Sequence, residues 1–413
     1  MQQRLAVRLF NAAQRLAQRL GRRPLPFADS EAALLEAARR ASGLDDFGDA
    51  AFREPLRVLL RAYDEEARLS PFGRMLARQG LVDILNSRLL VQRGWRENPK
   101  ALSAPIRRPV FILGLPRTGT TALHHLLACD PANQVLEYWL AAAPGPRPPV
   151  ADWPGDPRYR KAVRDLRTIY YLDPGLKAIH LLTADGPEEC RHLFLQSFLD
   201  DTFDSNATIP SYTKWFAQQD MRPAYARHRD VLRLIQAPAP ERRWVLKYPA
   251  HLRHLDVLLE TYPDACIVQT HRDPARLLPS LCSLVSGWRS LYEDGLDRRA
   301  IGRWQLEMWS TLMLGAMRVR ASEASQRFFD LHFRELVADP IAAVRRLYAR
   351  FDLELTPDAE RRMRDWQREN PQGRHGEHRY SAEPYGISEG EIAERFAPYT
   401  DHFAVERELA PNR

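Results

Sequence analysis

The stretch Pro109-Val110-Phe111-Ile112-Leu113-Gly114-Leu115-Pro116-Arg117-Thr118-Gly119-Thr120-Thr121 decides the fold of this chain. A short apolar run with β-branched residues reads as a buried strand. A glycine-bounded turn follows, and Leu123, Leu126 and Leu127 then recur at helical spacing. Strand, tight loop and helix in that order make a cradle for an anion. Glycines let the backbone N–H groups turn inward, and the helix N-terminus adds partial positive charge.

The spacing from Gly114 to Gly119 and on to Thr121 is that of a nucleotide P-loop, but Thr120 stands where a P-loop carries Lys. The cation sits inside the loop instead, at Arg117. Without a Lys to reach the β- and γ-phosphates, the loop is unsuited to a nucleoside triphosphate with magnesium. It suits a shorter, differently charged terminal group.

Outward from the loop, strands and helices alternate. Arg243–Lys247 is the next strand candidate, with a helix over 252–262. A strand over 265–270 precedes a helix from Pro274. A long helical pattern spans 299–323, a strand 327–333, and helices 334–350 and 357–368. This alternation predicts an α/β domain, a mostly parallel sheet flanked by helices in a P-loop NTPase-like arrangement. Residues 1–100 read as a helical extension or cap, with 101–413 as the α/β domain. Residues 144–157 hold six prolines and form a loop at the expected pocket rim.

The chain has 413 residues and a formal charge of +7. No run approaches the ~18 apolar residues of a membrane span, and no signal-peptide core is recognised. Four scattered cysteines form neither a disulfide framework nor a zinc cluster, which fits a reduced cytoplasm. The basic residues are interspersed with acids, so no nucleic-acid surface is expected. Residues 1–26 carry six arginines and no acid. On a helical wheel Leu5, Leu9, Ala13, Leu16 and Leu20 share one face, and Arg4, Arg8, Arg15, Arg19 and Arg22 share another. Two readings stand: a helix docked on the core with its arginines in water, or peripheral membrane contact through residues 1–24 at the inner membrane surface. No dimerisation motif is recognised.

A second motif lies downstream: Cys266-Ile267-Val268-Gln269-Thr270-His271-Arg272-Asp273-Pro274, with Ser280 eight residues after Arg272. With Pro116-Arg117-Thr118-Gly119-Thr120-Thr121, this pattern resembles the sulfotransferases that use PAPS (3′-phosphoadenosine 5′-phosphosulfate), in particular their bacterial branch. The resemblance covers residues ~30–403 and is densest at 109–139 and 243–285. It implies transfer of a sulfuryl group from PAPS to an acceptor hydroxyl on a small molecule, lipid or glycan, with no obligatory metal. It further implies that Pro116, Arg117, Thr118, Gly119, Thr120 and Thr121 hold the 5′-phosphosulfate, and that Arg272 and Ser280 hold the 3′-phosphate. Lys247, at a strand end within Val245-Leu246-Lys247-Tyr248-Pro249, is expected on the bridging or sulfuryl oxygens.

Two residues compete for the general base. Glu137 lies 20 residues after Arg117, as in protein-tyrosine sulfotransferases, although it precedes Tyr138-Trp139 rather than following Trp. His251 lies four residues after Lys247, where cytosolic relatives place a catalytic His at two. A late loop over 370–386 reads either as a surface connection or as a closure over the donor through Arg374, His375 and Gly376. The clustered Glu188-Glu189-Cys190-Arg191-His192 lacks ligand spacing and reads as a helix start. Two other classes remain in view: a P-loop kinase or NTPase-like enzyme, and a non-catalytic nucleotide-binding protein on the same fold.

Overall fold

The computed structural model describes residues 5–22, 24–172, 182–371 and 381–408. Arg374, His375 and Gly376 lie outside the described residues. The centre of the molecule is a five-stranded sheet of β1 (Val110–Gly114), β2 (Asn133–Val135), β3 (Arg243–Lys247), β4 (Cys266–His271) and β5 (Phe328–His332). The strands run parallel in the order β2-β3-β1-β4-β5. The chain therefore leaves β1 toward one side of the sheet and later returns to its other side. This reversal opens a crevice at the carboxyl end of β1, where open α/β sheets bind ligands.

All five β1 residues are buried. Because side chains alternate across a strand, Phe111 and Leu113 enter one core and Val110 and Ile112 another. The second core is closed by Leu123, Leu126 and Leu127 on the helix Thr120–Ala128, and by Val344 and Met363 on the helices Pro340–Arg350 and Pro357–Glu369. The first core is far larger. It joins Phe111 and Leu246 to Leu34, Leu59 and Leu85 on the helices Glu31–Ser42, Arg53–Glu65 and Pro71–Glu97. The N-terminal helices thus share one apolar core with the sheet.

Most expected elements form within a residue or two of their predicted ends. The stretch 334–350 is two helices rather than one, Phe333–Ala338 and Pro340–Arg350. Pro340 has no N–H to continue a helix, and Asp339 caps the second helix by accepting from Ala342 N at 2.9 Å. The helix expected over 252–262 begins as a tight turn, Pro249–His254, and becomes α-helical at Leu255–Thr261. The edge strand β2 was not anticipated; three residues carry too short a pattern.

The first described helix, Leu5–Arg19, docks through Val7 and Asn11, whose Oδ1 accepts from Phe72 N at 2.8 Å. Arg15 pairs with Asp294 at 2.6 Å. Leu9 and Leu16, on the opposite side of the wheel from Val7 and Asn11, are more than half exposed, as is Leu20 just beyond the helix end.

Candidate active site

The loop between β1 and the helix Thr120–Ala128 is built by three residues in left-handed backbone: Gly114 (φ 135), Arg117 (φ 71) and Gly119 (φ 89). At Gly114 an added Cβ would lie 2.5 Å from Thr270 O and 2.7 Å from Thr270 Oγ1, so only glycine lets β1 close against β4 there. Thr118 is wholly buried. Its hydroxyl donates to Leu115 O at 2.7 Å and lies 2.5 Å from Thr270 Oγ1. The Thr118 side chain therefore pins the loop to the sheet. Thr120 is buried in the first turn of the helix, while Thr121 beside it is exposed. Pro116 is half-buried at the loop tip.

On the β4 side of the loop, Arg117 Nε donates to Ser280 Oγ at 3.2 Å, and Arg272 Nη1 donates to Arg117 O at 3.1 Å. Three residues separated by up to 163 positions thus meet at one place. Arg272 is set at the end of β4, and Ser280 lies on the helix Pro274–Tyr292, which Asp273 caps by accepting from Ala275 N at 2.9 Å. The Arg272 guanidinium lies 3.9 Å from the Phe333 ring centroid. Its Nε and Nη2 donate to the carboxylate of Glu408 at 2.8 and 2.9 Å. A carboxylate thus fills the fork of Arg272 in the bidentate manner that a phosphate would use. The C-terminal segment is fastened there through its main chain as well: Glu408 N donates to Asp273 Oδ2, and Arg276 Nε donates to Glu408 O, both at 2.8 Å.

On the β3 side, Lys247 extends from the strand end, nearly buried, with Nζ 3.5 Å from Thr121 Oγ1. Its ion-pair partner is Glu189, at 2.6 Å. In the sequence Glu189 reads only as part of a helix start. A helix does begin beside it, at Arg191–Leu195, but the segment before that helix crosses the sheet edge. Glu188 N donates to Leu136 O at 2.7 Å, and Cys190 N donates to Lys247 O at 3.1 Å. These two main-chain bonds hold Glu189 against Lys247. The only sequence signal for this was two adjacent acids in a short turn after a proline.

The two base candidates lie in different surroundings. Glu137 follows β2 at the carboxyl edge of the sheet and is buried. Its carboxylate accepts from Arg147 Nη2 at 2.9 Å, and Arg147 also donates to Gln134 Oε1 at 2.8 Å and to Val135 O. Burial raises the pKa of Glu137, against the opposing pull of Arg147. His251 has no exposed surface. Its Nδ1 is 2.8 Å from the hydroxyl of Tyr225, and Phe111, Phe194 and Tyr248 pack against its ring. Burial holds its pKa well below that of a free histidine. On the helix after the loop, His124 is buried with Nε2 3.1 Å from Val245 O, and His125 stacks on Trp366.

A cavity of about 410 Å³ adjoins this edge. Phe72, Ile84, Tyr138, Ala142, His192 and Trp288 are among the residues around it. Tyr138, next in sequence to Glu137, and His192, three residues beyond Glu189, line it, while the two carboxylates themselves do not.

A family model described as "Sulfotransferase family" matches residues 109–358, which contain every element of the sheet and the loop. Among solved structures, sulfotransferase STF1 from Mycobacterium tuberculosis is 38% identical with a TM-score of 0.83, covering 91% of this chain and all of that one. Sulfotransferase STF9 from Mycobacterium avium is 31% identical with a TM-score of 0.84, covering 91% and 97%. The omega-hydroxy-beta-dihydromenaquinone-9 sulfotransferases Stf3 of Mycobacterium bovis and Mycobacterium tuberculosis are 28% identical over 255 residues, 59% of this chain. The match spans 63% of the length of these curated relatives. The loop geometry, the sheet order and these likenesses agree: the chain belongs to the sulfotransferase family.

Proposed function

We propose that this protein transfers a sulfuryl group from PAPS to an acceptor hydroxyl and releases adenosine 3′,5′-bisphosphate. The observation that carries this reading is the convergence of Arg117, Arg272 and Ser280 around a glycine-bounded loop, with Lys247 at the end of the adjacent strand. The bidentate carboxylate on Arg272 supports the fit, since it occupies a fork suited to a phosphate. The loop N–H groups and Arg117 would hold the 5′-phosphosulfate, and Arg272 with Ser280 the 3′-phosphate. In the transfer, a bond forms from the acceptor oxygen to sulfur. The bond from sulfur to the bridging oxygen breaks, and its electron pair stays on the departing 5′-phosphate. Lys247 and Arg117 meet the charge that develops on the bridging and sulfuryl oxygens.

The acceptor proton needs a base. Glu189 is the first choice by position, because its carboxylate lies against Lys247, the residue proposed for the sulfuryl oxygens; all three candidates are paired, Glu189 with Lys247 and Arg191, Glu137 with Arg147 and His251 with Tyr225. Glu189→Gln should lower kcat by about 10²–10⁴ with little change in affinity for adenosine 3′,5′-bisphosphate. The same loss in Glu137→Gln, with Glu189→Gln active, would return the role to Glu137. The donor itself is tested by thermal stabilisation: adenosine 3′,5′-bisphosphate should raise the melting temperature and ATP–magnesium should not. Stabilisation by ATP–magnesium alone would favour a kinase-like nucleotide site.

For the acceptor we favour an apolar alcohol. The cavity lined by Tyr138 and His192 is surrounded mainly by aromatic and aliphatic side chains, and the Stf3 relatives carry a hydroxylated menaquinone in their name. The exposed Leu9, Leu16 and Leu20, flanked by Arg8 and Arg19, support delivery from an anionic lipid surface. Deleting residues 1–24 should then abolish binding to anionic vesicles, and unchanged binding would remove that part of the proposal.

A further inference from the structure

Beneath the Lys247 strand end lies a sealed cluster that the transfer reaction does not use. Cys190, His228 and His251 are each wholly buried. They come from three separate elements: the segment after Glu189, the helix Arg222–Gln236, and the turn Pro249–His254. One ligand atom from each lies within 4.8 Å of the other two.

The hydrogen bonding of the two imidazoles is lopsided in the same sense. His251 Nδ1 is 2.8 Å from Tyr225 Oη, and His228 Nδ1 is 2.7 Å from Tyr262 Oη. Among the described residues, the Nε2 atom of each ring is buried with no hydrogen-bond partner. Buried polar atoms are normally satisfied, so these two nitrogens are open to a partner of another kind. When the Nδ1–H donates to a tyrosine oxygen, Nε2 carries a free lone pair. An outer hydrogen bond of this kind orients metal-bound histidines.

The two imidazole centroids are 6.0 Å apart and the planes cross at 83°. Two Nε2 atoms at about 2.0–2.1 Å from a shared tetrahedral zinc put their ring centroids about 5.2 Å apart, so the rings would close by somewhat under 1 Å on the ion.

We propose that Cys190 Sγ, His228 Nε2 and His251 Nε2 bind a borderline-to-soft metal ion, with zinc as the first occupant. One thiol and two imidazoles form a donor set that zinc and cuprous ions accept and that magnesium and calcium do not. Binding releases the Cys190 thiol proton to solvent as the ion enters. The site has no exposed side chain, so it fills while the chain folds. Its place gives it a structural role. Cys190 N donates to Lys247 O, and His251 lies four residues beyond Lys247, so the ion would staple together the two segments that hold Glu189 and Lys247.

The test uses the full chain expressed in zinc-replete medium. Elemental analysis should find about one zinc per chain, retained by the native protein through dialysis against EDTA and released on denaturation; copper in its place would identify the other occupant of the same donor set. Protein grown with cobalt should show a thiolate-to-cobalt charge-transfer band that persists in Cys282→Ser and disappears in Cys190→Ser. If Cys190→Ser does not fold, the cobalt spectrum of the unaltered protein decides. Folded protein with only substoichiometric metal, no thiolate–cobalt band, or full metal content in a folded Cys190→Ser/His228→Gln variant would each overturn the proposal. None of these readouts depends on sulfuryl transfer.

Discussion

The contact between Arg272 and Glu408 makes two opposite predictions for donor binding. Both side chains are about three-quarters buried, at 24% and 22% exposure, and two N–H···O bonds join them. A charge-assisted pair of this kind is worth about 1.5–3 kcal/mol when well desolvated. Partial exposure and screening bring it to about 1 kcal/mol. A 3′-phosphate on Arg272 must displace the Glu408 carboxylate and forgo that energy. Glu408→Gln should therefore tighten binding of adenosine 3′,5′-bisphosphate about fivefold. Arg272→Ala would remove the proposed phosphate contact and should weaken binding by about 2–3 kcal/mol, roughly 30- to 150-fold. In the Arg272→Ala background, Glu408→Gln should change nothing further, because the carboxylate then has no cation to occupy. Titration calorimetry on the three variants and the unaltered protein measures each step. Raising the salt should shrink the Glu408→Gln effect. Unchanged or weaker binding in Glu408→Gln would show that the carboxylate does not compete with the donor. Unchanged binding in Arg272→Ala would remove Arg272 from the phosphate site.

Other consequences are simpler to state. Gly114→Ala places a Cβ 2.5 Å from Thr270 O at φ 135, and should cost about 2–4 kcal/mol of stability by overpacking and backbone strain; an unaltered melting temperature would refute the close approach of β1 and β4. His124 is buried, and desolvation, then the charges of Lys247 and His125, lower its pKa well below 6.5. The unfolded chain takes up that proton near pH 6.5 and the folded chain does not. Its contribution is therefore complete above that pH and falls as the pH drops below it, by at most about 1.4 kcal/mol per pH unit. Urea unfolding between pH 7 and 5 should show a shallower acid limb in His124→Gln, and an identical slope would contradict the assignment. Ala142→Trp fills the cavity beside Tyr138 and should raise KM for a long-chain alcohol while leaving the affinity for adenosine 3′,5′-bisphosphate unchanged; equal losses in both would mean the cavity is not the acceptor site.

How much of this was legible in the chain follows from the range of the interactions involved. The strand–loop–helix at 109–128, the strands β3, β4 and β5, and the positions of Arg117, Lys247, Arg272 and Ser280 are written in local pattern: apolar runs, glycines in a turn, cations at strand ends. Such signals arise within a dozen residues, where backbone sterics and side-chain periodicity act directly. Proline shows the same locality, and Pro340 splits a stretch whose apolar spacing alone reads as one helix. Strand β2 left no such trace, because three residues become a strand only when β3 lies beside them.

What the tertiary structure decided is which of these groups meet. Glu189 and Lys247 are 58 residues apart, and Arg272 and Glu408 are 136 apart. No periodicity relates them; they touch because the sheet brings its carboxyl edges and their crossing segments together. The same holds for burial. Leu9 and Leu16 share an apolar stripe with the residues expected on the core, yet the first helix docks through Val7 and Asn11 on its other side. Local sequence fixes what each segment can present, whereas packing fixes the direction in which it is presented. Here that choice set a carboxylate on Lys247, another on the arginine predicted for the 3′-phosphate, and two tyrosine-bonded imidazoles close to one thiol.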